Sequence, residues 1–235
     1  MLKAFRYSIP VLLGYLAIGA AFGLMMAEAG YPWYLTGLMS LLMYAGAGQY
    51  AAVGIFAAGL GIAEACILQL VINMRHIAYS LTMLKRYNSV GRLGGKWRFA
   101  KWYLVFATSD ETFALLSSIP PQEAAGEKGA AFMLKVAIFD QSYWILGGLI
   151  GFFAGSLIPF DFTGVDFALT ALFIVLLIDQ MYRVRRAGPF LLSAVLSILA
   201  VIVLPERLSL LLALVISLAL TSLIPERKEK EALSL

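Results

Sequence analysis

Asn73, Arg75 and His76 sit near the middle of an apolar run that begins around Ile62, and His76 is the chain's only histidine. The next apolar run carries two adjacent acids, Asp110 and Glu111. An ionisable group at bilayer depth costs about 2.5–3.5 kcal/mol on insertion scales, so such groups face a partner or a water-filled path. Consecutive segments of opposite charge therefore point to a polar route through a membrane protein. Arg75 could hold a carboxylate through two parallel N–H···O bonds, and His76 could titrate near neutral pH. The acids could take a proton, a cation or an amine.

Each of these residues also has a plainer reading. Gln69, Asn73, His76 and Ser80 are spaced four, three and four apart and share one helical face, with Arg75 beside that stripe. Such a stripe can line a path or simply hydrogen-bond helices together. Adjacent acids on a helix point in different directions, so Asp110 and Glu111 need different partners, and Arg75 is the natural one for either. Asp140-Gln141-Ser142, followed by Tyr143 and Trp144, reads equally as a site or as a membrane interface. Asp179-Gln180, next to Arg183, reads as a helix terminus with a local ion pair. Two glycine series, Gly14/Gly19/Gly23 and Gly147/Gly148/Gly151/Gly155, have the small-residue spacing of close helix contact.

The elements that must position these groups follow from composition. Of 235 residues, 61% are hydrophobic and 14% charged, against about 25% charged in a soluble domain. Eight apolar segments run over roughly 8–27, 33–59, 62–83, 99–118, 131–158, 164–182, 189–204 and 208–224. Many approach the ~20 helical residues that cross a hydrocarbon core. Backbone groups in lipid must pair among themselves, and alternation is weak, so helices rather than a barrel are expected. The fold class is all-α: a polytopic membrane helix bundle of about seven or eight apolar segments. The expected organisation is one transmembrane domain, 1–225, and a charged cytoplasmic tail, 226–235. The run from Ile9 to Ala27 is too long for a signal-peptide core and reads as a retained first span.

Charge placement sets the expected topology. Lys3 and Arg6 place the N-terminus inside, as do Lys85, Arg86, Arg92, Lys96, Arg98 and Lys101 for their loop, and Arg183, Arg185 and Arg186 for theirs. Arg227, Lys228 and Lys230 place the C-terminus inside, whereas the connections at Glu28, Glu64 and Glu123 suit the outside. Eight simple crossings cannot satisfy this pattern. The conflict is removed if segment 33–59, with its Ala45-Gly46-Ala47-Gly48-Gln49 break, enters and leaves on one face. A second irregular segment at 164–182 would settle the other half, giving discontinuous helices in an inverted repeat. Aligning Gln49 with Gln180 pairs Phe22 with Phe153 and Leu41 with Leu172 and little else.

Several function classes are excluded. The net charge of +4 gathers in loops without interleaved aromatics, so no nucleic-acid groove is formed. Cys66 is alone, no phosphate loop occurs, and neither a metal-ligand set nor a nucleophile–base–orienter arrangement can be written. No enzyme, metal or cofactor is expected.

Tyr44-Ala-Gly-Ala-Gly-Gln49, Asn73-Met-Arg-His76, Ser109-Asp-Glu111 and the Tyr143-Trp144 region resemble, in order and spacing, the AzlC family. Its members are large subunits of bacterial branched-chain amino acid exporters. The family often reads Thr-Asp-Glu and Ala-Gly-Ala-Ser-Gln. Here Ser109 keeps the hydroxyl of the first motif, while Gly48 lacks that of the second. The resemblance implies an inner-membrane permease that exports leucine, isoleucine and valine with proton coupling, beside a small hydrophobic AzlD-type subunit. The expected substrate and proton path comprises Asn73, Arg75, His76, Asp110, Glu111, Gly46, Gly48, Gln49, Asp140 and Gln141. The rival expectation is a cation channel, or a sodium or metal transporter, in which the acids hold the ion and Arg75 is structural.

Overall fold

The computed structural model describes residues 1–157 and 187–203, with isolated positions between and beyond them. Most of segments 164–182 and 208–224, Asp179-Gln180, the basic residues 183–186 and the charged tail lie outside the described residues. Among the described residues all regular structure is helical: α1 (Leu2–Glu28), α2 (Trp33–Leu42), α3 (Gly46–Ala57), α4 (Ile62–Arg92), α5 (Trp97–Phe106), α6 (Asp110–Ser118), α7 (Pro121–Ala124), α8 (Gly126–Leu157) and α9 (Ala187–Val203). Two of them, Leu2–Glu28 and Gly126–Gly155, are long and apolar enough to cross a bilayer.

The chain divides into two compact units. The smaller contains Ile62–Val71 and, among the described residues, α9. Helix α9 is apolar apart from Ser193 and Ser197, with Ala200 buried and Leu191, Ile198 and Ile202 exposed. The larger unit, Met1–Gly61 with Ile72–Leu172, holds every residue of the expected substrate and proton path.

Its spine is the parallel pair α1 and α8. Tyr7 meets Phe132, Tyr15 meets Trp144 and Gly155 lies against Leu24, so both helices run the same way. Glycine sets their separation. A Cβ on Gly23 would stand 1.9 Å from the Gly148 carbonyl oxygen, and one on Gly151 would stand 1.9 Å from that of Ala20. The two glycine series thus meet each other as their spacing suggests, except Gly14, which has nothing within 4 Å.

Two hairpins of half-length helices dock on this spine from opposite ends. Helices of 9–12 residues reach only about 14–18 Å at 1.5 Å per residue, half of a hydrocarbon core. Helix α2 leaves the C-terminal end of α1 beside Phe153 and runs back along α8 to Gln141. After a break at Met43-Tyr44-Ala45, α3 returns, Tyr50 meeting the Ile18 carbonyl and Phe56 meeting Tyr31. Segment 33–59 therefore enters and leaves at one end, as its glycines and the charge pattern suggest.

The second hairpin departs from expectation. Segment 99–118 reads as a single apolar span, but it breaks at Ala107-Thr108-Ser109. Helix α5 rises beside α8, with Tyr103 at Gln141, and α6 descends so that Tyr7 bonds Ser118 and the Leu115 carbonyl. Helix α4 packs along this hairpin: Tyr79 stacks on Phe113 at 4.5 Å between ring centroids. Further along, the Arg86 guanidinium donates to the carbonyls of Leu116 and Ile119, which α6 leaves without intrahelical partners at its C-terminus. A second break in the described residues thus lies at 107–109, and the irregular segment expected at 164–182 falls mostly outside them.

The acidic 120–128 connection also lies elsewhere than expected. Lys3 Nζ bonds Glu123 Oε2 at 2.8 Å, so this loop is at the same end as the N-terminus and not opposite it. Acidic residues contribute little to orientation compared with Lys and Arg, and here the basic N-terminus offsets the acid directly.

Candidate functional site

The two breaks approach each other beside the spine, the Tyr44 ring of the first lying 6.3 Å from that of Phe106 at the second. Gln141, six residues before the glycine series of α8, joins them: its Nε2 donates to the Leu41 carbonyl at 2.9 Å and its Oε1 accepts from Tyr103 Oη at 2.7 Å. Leu41 is at the end of α2, where carbonyls lack intrahelical partners, so one side chain satisfies a broken helix and ties it to the other hairpin. Gln49 works similarly. It is fully buried, donates to Ser40 Oγ at 3.2 Å and accepts from Trp144 Nε1 at 2.8 Å. Gly46 opens α3 against the Trp144 ring, where a Cβ would stand 3.1 Å away. Gly48 is buried one turn into the same helix.

Tyr44 forms the tip of the first hairpin with φ 42°, a left-handed backbone that a bulky residue adopts at a cost. Its ring lies against Tyr15 and Phe106. Its buried hydroxyl makes no hydrogen bond among the described residues, although Thr112 and Ser109 lie beside it.

At the second break, Ser109 is the N-cap of α6 and its Oγ accepts from the Thr112 amide at 3.2 Å. Asp110 and Glu111 fill the first turn, where the positive end of the helix dipole favours acids by about 0.3–1 kcal/mol each. The two acids do turn to different partners. Asp110 pairs with Arg75, Nη1 to Oδ2 at 3.0 Å, and accepts from Tyr79 Oη at 2.7 Å. Glu111 accepts from Tyr15 Oη at 2.7 Å. Both side chains of the ion pair remain about 30% exposed, so the pair is reachable from outside the protein. Arg75 Nε is buried with no hydrogen bond among the described residues.

Arg75 and Tyr79, four residues apart, thus reach Asp110 from α4, and Tyr87 Oη, further along the same helix, lies 2.8 Å from Thr108 Oγ1 within the break. His76 turns to its own helix, Nδ1 lying 3.1 Å from the Asn73 carbonyl, and touches the Tyr79 ring. Asp140, fully buried in mid-α8, accepts from Thr112 Oγ1 at 3.0 Å. Its other oxygen has no partner among the described residues.

The sequence reading did not single out Tyr15, Tyr79 or Thr112. A hydroxyl within a long apolar run, as at Tyr15, is a signal of the same kind as the charges in the next segments. Tyr79 could have been found one helical turn beyond Arg75.

Helices throughout the described residues, an ion pair set at a helix break and extensive apolar surface, including Leu13, Leu81 and Ile150, are the features of a membrane protein. Residues 10–158, which contain most of α1 and all of α2 through α8, match the AzlC protein family, and the chain belongs to it. An uncharacterised membrane protein of Helicobacter pylori is 37% identical over 91% of this chain and 90% of its own length. The branched-chain amino acid transport protein AzlC of Bacillus subtilis is 33% identical over 78% of this chain and 69% of its own. The inner membrane protein YgaZ of Escherichia coli is 28% identical over 75% and 71%. No solved structure matches the chain.

Proposed function

We propose that this chain is the permease subunit that exports leucine, isoleucine and valine across the bacterial inner membrane. It works with a small hydrophobic AzlD-type subunit and is driven by protons. The supporting observation is the half-buried Arg75–Asp110 pair at 3.0 Å, set where two broken helices approach. An amino acid is a zwitterion bearing the same two charges. It can insert by exchange, its carboxylate taking Arg75 and its amine taking Asp110 or Glu111, without leaving a buried charge unpaired, which is the strongly destabilising case. The glycines at Gly46 and Gly48 let the substrate approach backbone groups of the first break. Glu111, Asp140 or His76 exchanges the coupling proton, and Asn73, Gln49 and Gln141 hold the surrounding helices in place.

Orientation follows from the positive-inside rule. With Lys3, Arg6 and the 85–101 bases in the cytoplasm, α1, α4 and α8 cross, the α5–α6 hairpin enters from the cytoplasm and the α2–α3 hairpin from outside. Residues 1–57 and 62–118 are then the two arms of an inverted repeat, each a crossing helix followed by a re-entrant hairpin.

Cells lacking this chain are given a pulse of dipeptides containing branched-chain residues. Intracellular leucine, isoleucine and valine are expected to rise and stay high, and to fall again when the chain and its small partner are supplied together. Amino acid levels unchanged by the deletion would contradict the proposal.

A further inference from the structure

A continuous line of hydrogen bonds connects the two acids that are not paired with Arg75. Tyr15 Oη lies 2.7 Å from Glu111 Oε2 and 2.6 Å from Ser109 Oγ. Ser109 Oγ lies 3.1 Å from Thr112 Oγ1, which lies 3.0 Å from Asp140 Oδ2. Tyr15, Ser109, Thr112 and Asp140 are all buried.

The line contains four oxygen–oxygen links but only three hydroxyl hydrogens. A hydroxyl has one hydrogen and an ionised carboxylate has none. If Glu111 and Asp140 were both ionised, one link would bring two lone pairs together with nothing between them, in surroundings where an unmade polar contact is costly. One added proton completes the line in two ways. On Glu111, it sets every hydroxyl pointing toward Asp140: Glu111 donates to Tyr15, Tyr15 to Ser109, Ser109 to Thr112 and Thr112 to Asp140. On Asp140, it reverses all four. Ser109 accepts the Thr112 amide in either state, so its cap on α6 is unchanged.

We propose that Tyr15, Ser109 and Thr112 form a hydroxyl relay that holds one mobile proton shared between Glu111 and Asp140. Passing the proton from one acid to the other moves one hydrogen across each of the four links, and no covalent bond other than O–H is made or broken. The relay links the lip of the candidate substrate site, where Glu111 adjoins Asp110, to the interior of α8. Other titratable groups around it are Tyr44 and Tyr103 beside Asp140, and Asp110 with Arg75 beside Glu111. The inference deepens the proton-driven reading above, but the relay's existence does not depend on transport.

The test is infrared spectroscopy of the purified full chain in lipid at neutral pH, with the double variant Glu111→Gln/Asp140→Asn as the blank. Wild type minus blank is expected to give the carbonyl absorption of one protonated carboxyl. Glu111→Gln and Asp140→Asn alone are expected to change it equally, because the proton can reside at either position. With Thr112→Val added, the symmetry is expected to be lost: Asp140, deprived of its only side-chain donor among the described residues, keeps the proton, while Glu111 remains ionised with Tyr15 as its donor. Thr112→Ser is expected to preserve the symmetry. A wild-type absorption of two carboxyls or of none overturns the relay. So does an absorption that one single substitution removes and the other leaves intact. Should Thr112→Val fail to insert, the equal response of the two single variants decides alone. Neither result uses amino acid movement, so a chain that fails to export would leave this test unaffected.

Discussion

Asp110 has two partners in the protein, Arg75 and Tyr79, whereas Glu111 has Tyr15. This division gives the neighbouring acids separate tasks, one toward a substrate amine and one toward a proton. Tyr79→Phe removes a neutral donor from Asp110 without touching the ion pair. It is expected to raise the leucine KM of export with the amount of inserted protein unchanged, which transport assays with quantified membrane protein can read. Gln141 has a structural task. Gln141→Leu leaves the Leu41 carbonyl buried and unpaired, a loss of about 1–3 kcal/mol, and is expected to lower thermal stability in detergent. The charged pair was legible in the sequence because charges are rare in apolar runs. Tyr15 and Thr112 were not, since hydroxyl groups in such runs also serve packing and interfaces. Arg75, assigned beside the polar stripe of Gln69, Asn73, His76 and Ser80, is the residue that reaches across to α6.

The two re-entrant hairpins differed in how plainly the sequence announced them. The first break carries Gly46 and Gly48 beside a left-handed Tyr44, and glycine disfavours continuous helix. The second, Ala107-Thr108-Ser109, contains neither glycine nor proline, so hydropathy alone reads 99–118 as one span. Its available signal was the N-cap: Ser109 followed by two acids and Thr112, the signature of a helix beginning there. The α1–α8 contact is set by glycine at backbone distance. Gly151→Ala would drive a Cβ into the Ala20 carbonyl and Gly23→Ala into that of Gly148. Each is expected to destabilise the bundle by about 1–3 kcal/mol or more, with detergent melting and loss of inserted protein as readouts. Gly14→Ala, where nothing lies within 4 Å, is expected to be silent.

At the scale of the whole molecule, the Lys3–Glu123 bond decides how the charge pattern is read. The acidic loop suggested the opposite face, because acids were weighed like bases, yet only Lys and Arg strongly bias orientation. With that loop beside the N-terminus, Lys3 and Arg86 fall at one end of the larger unit, the end that also holds the C-terminus of α6. In a Cys66→Ser background, Lys3→Cys and Glu123→Cys are expected to be labelled from the same side of sealed vesicles and to cross-link to each other. Labelling from opposite sides would refute the arrangement.

The central claim is that an amino acid zwitterion exchanges with the Arg75–Asp110 pair. Vesicles containing this chain and its small partner, loaded with unlabelled leucine, are expected to take up labelled leucine by counterflow. Arg75→Ala and Asp110→Asn are each expected to abolish that exchange at normal levels of inserted protein. Wild-type counterflow that persists in both variants, or an ion current with no trans-stimulated exchange, would contradict the account.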